Sequence, residues 1–70
     1  MKVGYEKINS TTNKVERIID STIDTIEDVM IRLAELKSTH ASDSSVISVF
    51  YAIEKPNSRY KIVYIENKSE

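Results

Sequence analysis

Four tyrosines, Tyr5, Tyr51, Tyr60 and Tyr64, accompany Arg59 and Lys61, a mixture of flat rings and cations on which bases or nucleotides can stack. Tyr51, Arg59 and Tyr60 are the trio such a ligand would use. At strand spacing, however, aromatics more often serve core or interface packing, and the chain as a whole is not basic. A second constellation is acidic. Wound as a helix at about 100° per residue, the segment 13–37 places Glu16, Asp20, Asp24, Glu27, Asp28 and Glu35 on one side. Such a ladder can imitate the phosphates of DNA and occupy the groove of a DNA-binding protein, although a solvated helix face is the commoner origin of the pattern. His40 is the third candidate. It sits among Ser38, Thr39, Asp43 and Ser44, with no motif that fixes a nucleophile and a base beside it, so no catalytic residue is assigned.

Other chemistries are excluded by composition. Gly4 is the only glycine, which removes a glycine-rich phosphate loop and the dinucleotide fingerprint. The absence of cysteine removes disulfides and thiolate metal sites, and a single histidine leaves a structural zinc site short of ligands. No cofactor and no metal are therefore expected, and the chain reads as non-enzymatic. Ten Lys and Arg against 11 Asp and Glu give no overall field toward nucleic acid or an anionic membrane. No apolar run approaches the ~20 residues needed to span a bilayer, and residues 1–7 lack the apolar core of a signal peptide, so a cytoplasmic location is expected.

The elements that must position these residues follow from periodicity. Asn9-Ser10-Thr11-Thr12-Asn13 is rich in helix-capping residues, and Asn13 with Glu16 has capping-box spacing, so a helix is expected from about 13 to 37. Val15, Ile19, Thr22, Ile26, Val29, Leu33 and Leu36 step by four and three along it, with Ile18, Ile23 and Met30 widening the stripe. Ile31 falls nearly opposite that stripe. After a polar loop, 46–53 and 60–66 are β-branched and aromatic, and Lys55-Pro56-Asn57-Ser58 between them suits a type I turn, which predicts a C-terminal hairpin. Symmetric closure of the turn would set Ile53 opposite Tyr60, Tyr51 opposite Ile62 and Val49 opposite Tyr64 on one side. Phe50 opposite Val63 and Ala52 opposite Lys61 would then lie on the other, with a one-residue bulge shifting every pair. Val3 and Tyr5 alternate with polar neighbours as a short strand would, whereas Ile8 breaks the alternation. The topology is thus β-α-β-β with that strand or α-β-β without it. The tail 67–70 is expected to fray.

Together these features predict a single α+β domain over 1–70, one long amphipathic helix on a small antiparallel sheet. Seventy residues bury only ~60% of their unfolded surface. The hairpin is apolar on both faces, and one helix covers only one of them. With disulfides and metals gone, a second copy of the chain is the expected stabiliser, and Ile31, Phe50, Val63 and Ile65 are the candidate contacts. The resulting expectation is a homodimer or higher oligomer that binds and modulates a host or cellular protein, as accessory or phage-encoded inhibitors do. The acidic mimic through Glu16, Asp20, Asp24, Glu27 and Asp28 is the first alternative. A nucleotide-binding sponge built on Tyr51, Arg59 and Tyr60 is the second.

Overall fold

The computed structural model describes residues 1–67. The chain runs β1 (Lys2–Ile8), β2 (Val15–Thr22), α1 (Ile26–Thr39), β3 (Val46–Glu54) and β4 (Tyr60–Asn67). All neighbouring strands pair antiparallel in the order β2-β1-β3-β4. The α+β class, the helix packed on an antiparallel sheet, the N-terminal strand and the C-terminal hairpin are all present. Among the described residues, no helix is long and apolar enough to cross a membrane. Asn67, expected to fray with the tail, pairs with Ser48 at the end of β4, and the rest of the tail, 68–70, lies outside the described residues.

The helix begins 13 residues later than its apolar stripe suggests, and the span 15–22 is a strand instead. The Asn-Ser-Thr-Thr-Asn run builds a hairpin turn between β1 and β2. There the Asn9 side-chain oxygen accepts from the N–H groups of Thr11 (2.8 Å) and Thr12 (3.2 Å), and Asn13 takes a left-handed φ of 60°. A side-chain oxygen that accepts from backbone two or three residues ahead serves a helix cap and a turn equally well. The residues that follow decide between them. Val15, Ile18, Ile19 and Thr22 are β-branched, which stiffens χ1 and favours a pleated backbone. The true N-cap is Thr25, whose hydroxyl accepts from the Asp28 N–H at 3.2 Å, with Glu27 and Asp28 in the first turn and Lys37 in the last complementing the helix dipole.

Because β2 and β3 are each antiparallel to β1, they run parallel to one another, and α1 crosses over β1 to join them. Val29, Leu33 and Leu36 on the helix bury against Val3 of β1 and Val49 of β3. Met1, Tyr5, Ile23, Tyr51 and Tyr64 pack around that cluster. The molecule is a slab of 33 × 26 × 16 Å, and its thinnest dimension is that of one helix on one sheet. One sheet face therefore has no helix over it.

The hairpin register also departs from symmetric closure. Tyr51 pairs with Tyr64 and Phe50 with Ile65, but Ala52 pairs with Ile62, so Val63 is an extra residue on β4. A five-residue connection, closed by the Lys55 N–H on the Arg59 carbonyl at 2.6 Å and carrying Ser58 at φ 64°, shifts the start of the ladder. The bulge shifts the rest.

Candidate functional site

Strand alternation sorts the sheet into two faces. Val3, Tyr5, Val49, Tyr51 and Tyr64 point toward the helix, so their neighbours Gly4, Glu6, Ser48, Phe50, Ala52 and Ile65 line the helix-free face. The pairing draws one row across all four strands, Ile19–Gly4–Phe50–Ile65. Ile19 and Ile65 are 36% and 47% exposed, whereas Phe50 has no exposed surface. The next row, Arg17–Glu6–Ser48–Asn67, is polar, and on the other side Lys2 approaches Glu54 at 3.9 Å and donates to Thr22 at 3.1 Å. An apolar band between two polar borders is the plan of an interface core with its rim.

Gly4, paired with Phe50 in that row, is where β2 comes closest to β1 on this face. A Cβ placed on Gly4 would stand 2.0 Å from the Ile18 carbonyl oxygen and 3.0 Å from its carbon. The register shifts between Val3 and Gly4, so β2 bends here and its backbone passes over the helix-free side of β1. That approach lies in the same cross-strand row as the buried Phe50.

Glu6 is the buried charge of this face. Its carboxylate accepts from Ser48 Oγ at 2.6 Å and from Arg17 Nε at 3.0 Å. The Ser48 hydroxyl, and after it Arg17, hold the carboxyl below its usual range despite the opposing effect of burial. A folded pKa depressed below the unfolded value stabilises the fold above about 4.5, and that stability is lost as pH falls through the folded value. Glu6→Gln leaves one acceptor oxygen for two donors, so its amide NH2 faces either Ser48 or Arg17, and the negative charge beside the Arg17 guanidinium is lost. We expect a loss of about 1–2 kcal/mol at pH 7. Denaturant titrations at pH 7 and pH 3.5 should show a smaller difference for the variant than for the parent; an unchanged difference would mean that Glu6 does not titrate with folding.

The tyrosines do not form a single platform. Tyr51 stacks on Tyr64, with centroids 5.6 Å apart and planes at 22°, on the helix side, and Tyr5 lies 4.4 Å from the ring of His40 at the helix C-cap. Tyr60 pairs with Glu54 on the helix-free face and Arg59 lies in the hairpin turn, so Tyr51, Arg59 and Tyr60 do not converge. The acids are equally dispersed, because their ladder assumed one continuous helix. Glu16 and Asp20 lie on β2, Asp24 precedes the N-cap, and only Glu27, Asp28 and Glu35 are helical. Asp20 is held by both Arg32 Nε (2.7 Å) and Nη2 (2.9 Å), and Glu16 accepts from Asn9 at 3.1 Å. Ile31 projects from the helix at 58% exposure, away from both sheet faces, and Val63 is exposed at the β4 bulge. Phe50 underlies the apolar surface that Ile65 and Ile19 present.

Glu6, Ser48, Arg17 and Gly4 are the residues that sequence reasoning left unassigned. Ser48 carried a signal, as the one polar residue in Val46-Ile47-Ser48-Val49-Phe50, since a polar group inside a buried strand needs a partner. A shallow cleft of about 460 Å³ beside the β1–β2 turn is lined by Lys7, Asn9, Glu16, Ile18 and Ser45, without a paired nucleophile and base. Among the described residues, no group of three His, Asp or Glu side chains is placed to hold a metal ion. Comparison with protein-family models, with curated proteins and with solved structures returned no match.

Proposed function

We propose that this chain is a small non-enzymatic interaction protein that associates with itself and modulates a macromolecular partner, in the manner of accessory or phage-encoded inhibitors. The observation that supports the reading is the helix-free face. An apolar band of Ile19, Ile62 and Ile65 over a buried Phe50, bordered by the Arg17–Glu6 and Lys2–Glu54 pairs, is surface that a chain of this size gains by covering. Glu6–Arg17, Asp20–Arg32 and Lys37–Glu66 are ion pairs that join elements of the fold. Sedimentation or light scattering over a dilution series tests the reading: an assembly with a mass of at least twice 8.0 kDa is expected at micromolar concentration. A well-folded monomer throughout would overturn it.

A further inference from the structure

We infer that β4 is a self-pairing edge, and that two copies join antiparallel along it into one continuous sheet. The inference rests on the self-association proposed above but places it on a strand edge, which leaves the helix-free face open to the macromolecular partner.

β4 is the last strand of the sheet, so among the described residues its outer backbone groups have no partner strand. Antiparallel pairing about a two-fold axis demands that residues brought opposite each other point to the same face, because a one-residue mismatch sends side chains to opposite sides. A regular strand meets this demand in only some registers. The bulge at Val63 lets the three pairs on either side of the centre of β4 meet it in a full-length overlap. Tyr64 faces the helix side with Tyr51 and Glu66 with Val49, whereas Ile62 lies with Ala52 and Ile65 with Phe50 on the helix-free side. Tyr60 and Asn67 fall on the helix-free side and Lys61 on the helix side by the same pairing.

Reflected about the midpoint between Val63 and Tyr64, Tyr60 meets Asn67 of a second copy, Lys61 meets Glu66 and Ile62 meets Ile65, and each pair shares a face. The chemistry matches as well as the geometry. Isoleucine meets isoleucine on the helix-free side, and a cation meets an anion on the helix side, each twice because of the symmetry. Lys61 alone would read as a charge that blunts an edge. Opposite Glu66 it selects a register instead. The other edge lacks this property. In β2 the two consecutive helix-side residues, Asp20 and Ser21, lie near the end of the strand, so a full-length overlap sets Arg17 opposite Asp20 and Ile18 opposite Ile19 on opposite faces, and face-matched pairing reaches only part of the strand.

The resulting sheet has twice the four strands of one chain. The axis stands normal to it, so both helices occupy one side and both apolar bands the other. Ile65 of one copy then continues the row into Ile62 of the next, and the helix-free face becomes one surface of double width.

Charge reversal tests the pairing. Lys61→Glu and Glu66→Lys each place like charges at both ends of the two-fold ladder, and each should weaken self-association by roughly tenfold or more while leaving the circular dichroism spectrum unchanged. Glu66→Lys also removes the bridge to Lys37, so the decisive measurements are the combinations. Mixing the two single variants should restore association as a heterodimer, and the double variant should associate with itself, because each arrangement again sets a cation opposite an anion. Dimers that persist in both single variants but dissociate in Ile19→Asp would overturn the β4 pairing while leaving self-association intact. Failure of the mixture to associate would overturn it too.

Discussion

Replacing Gly4 with alanine is expected to lower stability by about 3 kcal/mol or more, one of the two largest losses for a single substitution in this chain, although the change adds one methyl group to a strand. Alanine normally outperforms glycine in a strand, and Gly4 does not have a positive φ, so conformational freedom is not the reason for glycine here. Space is the reason. The added Cβ would lie 2.0 Å from the Ile18 carbonyl oxygen, and that neighbour is backbone that cannot rotate away. Relief requires β2 to withdraw from β1, which disturbs the register that sets Arg17 beside Glu6. For a domain of this size 1 kcal/mol corresponds to roughly 4–8 °C in Tm, so the melting point should fall by more than about 10 °C. Thermal denaturation followed by circular dichroism checks this. A shift within a few degrees would show that β2 does not lie over Gly4.

This sensitivity rests on an element that periodicity misplaces. Val15, Ile19, Thr22 and Ile26 satisfy helical spacing only because the strand β2 and the helix α1 abut with a short turn between them, and three apolar positions of a strand can coincide with a helical stripe. The segment carried two corrective signals. Half of its residues are β-branched, and Thr25-Ile26-Glu27-Asp28 before the apolar Val29 is a helix start as good as the one at Asn13. The C-terminal hairpin was legible because Pro56 and Asn57 punctuate two β-branched runs. Its register was not, since no residue type in β4 marks the bulge at Val63. The candidate site depended on what was missed. The Glu6–Arg17 pair and the approach to Gly4 exist only if 15–22 is a strand beside β1; a helix over that span gathers the acids into a ladder the fold does not make, and the bulge at Val63 separates Tyr51 from Tyr60.

Phe50 shows what that correction does to the interface argument, and Phe50→Ala should cost about 3–5 kcal/mol. The ring is entirely enclosed by a single chain, so its removal leaves a cavity in the protomer rather than a gap between protomers. A small domain has only about 3–5 kcal/mol in reserve, so the variant should be largely unfolded at 25 °C, whereas Phe50→Leu, which keeps most of the volume, should remain folded. Concentration separates this residue from its neighbour in the row. The loss caused by Phe50→Ala should be the same in dilute and concentrated protein. The loss from Ile65→Ala, a half-exposed side chain on the edge strand, should emerge only as copies associate. Urea denaturation of both variants at two protein concentrations gives the comparison. If the Phe50→Ala penalty grew with concentration, the ring would belong to the contact between copies. If the Ile65→Ala penalty did not grow, self-association would have to use some surface other than this edge and this face.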